Sequence, residues 1–520
     1  MTRRLALGAL LILSAHAPFA LAAQLPLITV PTGALRIDFS GAFYPSDHYW
    51  SGGTQHPLGD QIDGTSNPMV NSLESSFGAL IGAPVSGLTL GSITTLASQS
   101  RGVGDIGLAL GLTRRITIFG TLPIVFLRSR VSLTFDPSTS KVGLNPADPD
   151  AQIGTDAGRT QAMTFFTEFD AALDSLNTRI GRGDYDGNAT TLALAHDTYT
   201  RATAMRASLF GLLSDPNVAS PVLPTAGDAY GMQLLSQITA LQGTFSNDLG
   251  VAGFTDAPPL PATTLTSDQF AALLGSPGGF ATATQPNSRY TIGDMTAGVA
   301  MEVVRHGRPD SAGWRALWLR GTARFPTGAL ANPSYILDQA AGSRHPAGQL
   351  DVIGEAGTGH LGLRVEATYQ HVWPWSQLRR LGAPDQGLVP PSLAAAVRSQ
   401  PGDSMAFTLR PYLAFAPHLA ATATVQYWRR SASRTDYVTG QQPIPGTTPG
   451  VLDVGSAANA TVLGIGLSYA DDGPNRDGSS GLPVEAGWSV ERTVSSGAGF
   501  FPVALTTRMY LKVYRPLFRH

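Results

Sequence analysis

The sequence predicts an all-β transmembrane antiparallel barrel of about 12 strands, interrupted by one helical insert. Three observations carry that expectation. Segments of roughly 9 to 13 residues alternate apolar with polar or small side chains, as tilted membrane strands do. The connections between those segments alternate between short and long. Charged residues make up only 14% of the chain, against about 25% in ordinary soluble proteins.

The alternation is plainest in the C-terminal half. Over 461–470, Leu463, Ile465, Leu467 and Tyr469 share one face, and Gly464, Gly466 and Ser468 the other. Over 484–491, Val484, Ala486, Trp488 and Val490 alternate with Glu485, Gly487, Ser489 and Glu491. Over 405–415, Met405, Phe407, Leu409, Pro411, Leu413 and Phe415 alternate with Ala406, Thr408, Arg410, Tyr412 and Ala414. Successive side chains of a strand point to opposite faces, so each segment has one apolar and one polar or small face. A soluble sandwich turns the apolar face inward, whereas a membrane barrel turns it out to lipid around a polar lumen. Mid-strand charges suit either geometry. Length separates them, because an ordinary strand runs about 5 to 6 residues.

Twelve strands are read at 34–44, 104–112, 115–127, 290–304, 314–325, 348–357, 361–373, 404–416, 419–430, 459–470, 483–494 and 502–514. The turns at 113–114, 307–313, 358–360, 417–418 and 471–482 are short or moderate; the loops at 45–103, 128–289, 326–347, 374–403 and 431–458 are long. Only 495–501 breaks the long class. An even strand number with short turns at one rim and long loops at the other is the bacterial outer-membrane plan. Gly104-Asp105 and Gly293-Asp294 each open a strand, read as a tight approach from a loop with Asp capping backbone groups at the rim. The last strand sets Met509, Leu511 and Val513 against Arg508, Tyr510 and Lys512, with Pro516 interrupting it before Phe518.

The N-terminus reads as a signal peptide over 1–22. Arg3 and Arg4 precede an apolar run beginning at Leu5, and Ala20-Leu21-Ala22 offers a small-x-small cleavage site. No later segment holds ~18 consecutive apolar residues, so no transmembrane helix is expected. A net charge of −2 gives no nucleic-acid footprint. The absence of Cys excludes disulfides, thiolate metal sites and Cys nucleophiles. The chain thus divides into the signal peptide, a first barrel portion at 23–136, the insert at 137–288 and the remaining barrel at 289–520.

The segment 101–126, RGVGDIGLALGLTRRITIFGTLPIVF, resembles a recurrent unit of the meta-pathway phenol-degradation-like outer-membrane proteins. That unit is a Gly-Asp opening, a hairpin, then a strand closing on Leu-Pro. ARFPTG at 323–328 is similar to the same group's Pro-Thr-Gly strand exit. The resemblance covers 100–128 and 290–328, and the other strands by pattern only. It implies a relative of outer-membrane channels for fatty acids and aromatic hydrocarbons, and it supplies no catalytic residues.

The insert has a different period. Phe165, Phe166, Phe169, Leu173 and Leu176 follow helical spacing. The stretches 191–213 and 230–241 read similarly, and 268–274 makes a short helix with Ser267 as N-cap. A Pro-rich linker occupies 256–265. The insert is placed on the long-loop side, where its aromatics either pack among its own helices or form a gate lined by Phe165, Phe166 and Phe169.

Apparent motifs fail their required context. GxGxxG at 102–107 and 357–362 opens no helix within a βαβ unit. The acidic run at 184–188 has Ala189 and Ala195 where a calcium loop needs Gly and Glu. GxSxG is absent, the ten His are scattered, and His371 beside Trp373 and Trp375 suits an interface girdle. No catalytic, cofactor-binding or metal residue is assigned, and no enzyme is expected. The expected lumen lining is Arg36, Asp38, Glu302, Arg320, Arg324, Arg364, Glu366, Arg410, Glu485, Glu491, Arg508 and Lys512. The expected function is an outer-membrane channel passing small hydrophobic compounds by diffusion. The alternative is a structural or surface-recognition barrel, since mixed charges could equally tie the interior shut. Expected partners are outer-membrane lipid, the barrel-assembly machinery and small hydrophobic substrates, with no nucleic acid and no cofactor.

Overall fold

The computed structural model describes residues 25–517 except 26, 64–66, 285, 308–311, 359, 417, 445 and 471–483. The expected signal peptide and Phe518 lie outside the described residues. Twelve antiparallel strands close into one barrel: β1 Ala34–Ser46, β2 Ser92–Gly111, β3 Ile116–Asp136, β4 Thr296–His306, β5 Ala312–Arg324, β6 Ala347–Thr358, β7 Leu361–Val372, β8 Ser404–Ala416, β9 Leu419–Arg430, β10 Ala458–Ala470, β11 Val484–Ala498 and β12 Leu505–Pro516. Each strand pairs with its sequence neighbours, and β12 closes on β1 in a register running from Ala34↔Pro516 to Phe43↔Thr507. Closure removes both sheet edges, the condition for crossing a bilayer with strands.

Burial in this barrel is inverted relative to a soluble core. Ile465 is 66% exposed and Met405 61%, while Glu485 is 2% and Asp351 0% exposed. The outward faces carry Phe39, Leu108, Ile124, Val299, Leu363, Phe407, Leu463 and Leu511, all exposed, around the whole circumference. An apolar belt of that extent is not a water-facing surface. It is the band of a barrel embedded in hydrocarbon.

Three elements differ from the sequence expectation. β2 starts at Ser92 and β3 runs to Asp136, because the ladder continues from Arg101↔Leu127 up to Ser92↔Asp136. The added outward residues include Ser98 and Ser100, so the membrane pattern stops there while the hydrogen bonding does not. Gly104-Asp105 therefore sits mid-strand rather than at a rim. The fourth strand is broken at 293–295: a short strand, Asn287–Ile292, pairs with the upper part of β3, and β4 pairs with the lower part. The loop before β2 contains a helix, α1 Pro68–Ile81, where an unstructured loop is expected.

The long-loop end carries a helical unit formed by α1, α2 Asp156–Arg182, α3 Ala189–Leu213, α4 Ala229–Gly243 and α5 Ser267–Gly275. Each helix begins on a side-chain cap: Asn67, Thr155, Asn188, Asp228 and Thr266 accept hydrogen bonds from first-turn amides. The cap of α5 is Thr266, one residue before the expected Ser267; Gln269 returns the bond to the Thr266 amide and completes a capping box. Met69, Val70, Leu73, Phe77 and Ile81 of α1 enter the same core as Phe165, Leu176, Leu209, Leu234 and Phe270. Two separate loops thus supply the helices of one hydrophobic core, to which Ile336 and Leu388 of two further loops also contribute.

Candidate functional site: the barrel lumen

The inward faces of β1 and β4–β12 converge on a belt of ion pairs. Arg36 Nε lies 2.7 Å from Asp38 Oδ1, and Lys512 Nζ 3.6 Å from Glu485 Oε2. Arg508 Nε lies 3.0 Å from Glu491 Oε2, and Arg305 Nη2 2.5 Å from Glu302 Oε2. Arg320 bridges two strands, with Nε 2.7 Å from Asp351 and Nη2 2.7 Å from Glu366. Arg364 pairs with Glu355 at 2.6 Å, and Arg324 approaches Asp294 at 3.9 Å. Tyr514 Oη donates to Glu485 at 2.8 Å, and Tyr412 Oη donates to Glu355 at 2.9 Å. Arg410 faces the same belt without a direct ion pair among the described residues. Burying so many charges is tolerable because nearly every one meets an opposite charge or a hydroxyl.

All twelve residues expected to line the lumen lie on the inward face: each sits directly across a ladder from another inward residue, as in Arg36↔Tyr514, Asp38↔Lys512 and Arg364↔Arg410. Asp351, Glu355, Tyr412 and Tyr514 complete the belt and were not singled out from sequence. On β6 the inward face reads Gln349, Asp351, Ile353, Glu355. Ile353 in that row, with Val352 and Leu350 opposite, blurs the two-residue period that would have exposed the two acids.

Two segments constrict the bore. At the short-turn end, residues 25 and 27–33 turn back from β1 and cross it. Val30 N donates to Thr117 Oγ1 at 2.8 Å, Leu27 N donates to Glu485 Oε1 at 3.0 Å, and Arg36 Nη1 donates to the Leu27 carbonyl at 2.9 Å. Leu25 and Ile28 then pack on Trp314, Trp318, Ile353, Tyr412 and Ala420. Those partners stand on β5, β6, β8 and β9, about half-way round the ring from β1, so the strap spans the opening.

At the long-loop end, residues 325–346 fold inward. Arg101 donates to the Ala340 and Ala341 carbonyls, and Ser129 Oγ to the Leu337 carbonyl at 2.8 Å. Asp294, at the break between the short strand and β4, accepts from Gly328 N at 2.9 Å and Ser343 N at 2.8 Å. Its capping role is real, but the backbone it caps is this inward loop. Ala341 packs on Val125 and Leu127 of the inner wall. No sequence signal distinguishes an inward from an outward loop.

Phe165, Phe166 and Phe169 are buried in the helical unit, where Phe169 stacks on Phe254 at 4.5 Å and Phe165 meets Phe169 edge-on at 5.8 Å. All three belong to the hydrophobic core of that unit. His371 lies on the outer face beside Trp373, and Asp403 accepts from Tyr369 Oη at 2.6 Å and bonds His371 Nδ1 at 2.8 Å. That cluster belongs to the outer aromatic girdle.

No model of a known protein family matches the chain, and no curated protein matches it. Among solved structures it is similar to an outer membrane channel from Pseudomonas putida F1, at 9% identity over 94% of this chain and 96% of that one, with a TM-score of 0.39. It is also similar to the toluene transporter TodX of P. putida, at 8% identity over 94% and 92% of the two chains and a TM-score of 0.26. The translocator domain of the autotransporter NalP from Neisseria meningitidis follows, at 10% identity over 93% and 89% with a TM-score of 0.28. These superpositions are distant, and the barrel stands on its own hydrogen-bond ladder.

Proposed function

We propose that the protein is an outer-membrane channel through which small hydrophobic compounds diffuse passively, regulated by the strap at residues 25–33. The observation that carries this reading is the strap itself. An apolar peptide crosses the bore on three side-chain hydrogen bonds among the described residues, and it seats Leu25 and Ile28 on a bed of Trp314, Trp318, Ile353 and Tyr412. A solute with an apolar body could occupy the same bed once the strap leaves it. The ion-pair belt holds the wall rigid around that bed, and the membrane band sets the location in the outer membrane.

The second reading is a structural or surface-recognition barrel, favoured by the density of interior ion pairs and by a helical unit with its own core. Planar-bilayer conductance decides between them. Deleting residues 25–30 should raise conductance and the uptake of small aromatic hydrocarbons several-fold. A deletion variant that assembles but stays closed to both would favour the structural reading.

A further inference from the structure

The outer wall of β11, β12, β1, β2 and β3 carries two adjoining concavities. Ladder register places their residues in rows. One row reads Met509, Gly41, Gly104, Ile124, and the next Thr507, Phe43, Gly102, Phe126, Tyr290. Gly41, Gly102 and Gly104 have no side chain, so a trough of about 550 Å³ opens between Phe39, Phe43, Phe126, Tyr290 and Met509. A Cβ at Gly41 or Gly104 would meet nothing closer than a carbonyl at 3.9 Å. Packing does not require glycine at either position; the space opens outward.

Two residues further along each strand, the chemistry changes. The outward rows become Pro45, Ser100, Arg128 and then Ser98, Arg130. Arg492 of β11 stands across the same concavity, beside Leu505. This second concavity is about 500 Å³. Its single carboxylate among the described lining residues, Asp47, is engaged by His48 Nδ1 at 2.8 Å. None of the three arginines makes an ion pair among the described residues. Arg128 and Arg492 are four strand spacings apart, about 19 Å of backbone, so the basic groups stand on both edges of the concavity. The Phe43–Phe126–Tyr290 row, with Phe126 and Tyr290 rings 4.8 Å apart, marks the interfacial level directly below.

We propose that this face binds a phosphorylated, multiply acylated lipid of the outer leaflet, with phosphates on Arg128, Arg130 and Arg492 and an acyl chain in the glycine trough. Guanidinium groups pair with phosphate through two parallel N–H donors, and Ser98 and Ser100 supply hydroxyl donors between them. A headgroup with two phosphates can reach both edges at once. The trough continues along the membrane normal from that headgroup level, which is where a chain descends. The proposal rests on the outer-membrane placement argued above but not on transport.

The test is native mass spectrometry of the full-length, detergent-purified protein titrated with diphosphoryl lipid A, an acylated disaccharide carrying two phosphates. Each variant is first checked for heat-modifiable migration, which reports the folded barrel. Wild type should retain one lipid per barrel, with binding weakened by added salt. Arg128→Gln combined with Arg130→Gln should weaken binding at least fivefold, and Arg492→Gln should weaken it separately. Gly104→Leu, which fills the trough, should weaken binding while every arginine remains. Arg429→Gln, on the outer face of β9, should change nothing. Equal binding by wild type and the arginine variants would overturn the proposal. So would inorganic phosphate binding as tightly as the lipid, because the feature would then be an ion site. Loss of channel conductance with lipid binding intact would count against the transport reading alone.

Discussion

Arg364 on β7 and Glu355 on β6 face each other directly across the ladder, with Nε and Nη2 at 2.8 and 2.6 Å from the same carboxylate oxygen, Oε2. The other oxygen accepts from Tyr412. Both side chains are buried inside a barrel whose outside is apolar. Removing one partner strands a buried charge, which typically costs about 3 to 5 kcal/mol. Glu355→Ala should therefore lower the urea midpoint of the heat-modifiable species sharply. Arg434→Ala, from a pair whose side chains are 82% and 65% exposed, should cost under about 1 kcal/mol. Equal losses would mean that the belt is as solvated as that surface pair.

Face assignment gives a second test. Arg at outward Ile465 or Leu463 meets hydrocarbon and should cost ~2 to 4 kcal/mol near the midplane. Arg at Gln426, inward and half-buried, should cost much less in the same folding titration. Ser468 is the wrong inward control, because it is only 4% exposed and an Arg there has no room.

The strap yields a third. Leu25 is buried against Trp314 and Trp318, and full burial of a leucine is worth about 1.5 to 3 kcal/mol. Leu25→Ser should shift the strap's seated–unseated balance roughly tenfold or more, at 1.4 kcal/mol per factor of ten. Single-channel open probability should rise accordingly, without loss of assembled barrel. An unchanged closed trace would place the barrier elsewhere in the bore.

The helical unit should depend on pH through Asp148. Burial raises this carboxyl from its ordinary range to about 6, although the Asp150 amide bond to it opposes the shift. The folded form therefore holds the proton more tightly than the unfolded chain. Its stabilising contribution is complete below the ordinary Asp range and is lost as pH rises through about 6. Protection factors across α2, corrected for the intrinsic pH dependence of amide exchange, should be larger at pH 5 than at pH 7.5, and Asp148→Asn should flatten that difference.

Deletion of the insert must respect its shared core. Replacing 140–285 by a short linker, with α1 left in place, exposes Met69, Val70, Leu73, Phe77 and Ile81. That variant should aggregate or fail to reach the outer membrane. Deleting 60–90 together with 140–285 should restore assembly, since loop closure grows by only about 0.6 kcal/mol per doubling of length. Heat-modifiable protein recovered from outer-membrane fractions distinguishes the two.

By itself the sequence determined the twelve-strand barrel. Period-two alternation is a local property: Leu463, Ile465 and Leu467 share a face wherever the strand goes, and loop lengths order the strands into a meander. It also separated charged from apolar faces, so Arg36, Arg320 and Glu491 could be set toward the lumen before any partner was known. Only the tertiary structure decided which charges meet, because Arg320 touches Asp351 and Glu366 on two other strands and register is a property of the closed ring. The inward course of 325–346, the strap and the joining of α1 to the distant insert are likewise decided in three dimensions. Their contacts link residues far apart in sequence, such as Leu27 with Glu485 and Ser129 with Leu337, and a solvated loop of the same composition would read the same. The outer concavity has the same origin: Arg128, Arg130 and Arg492 become one surface only when β12 closes on β1.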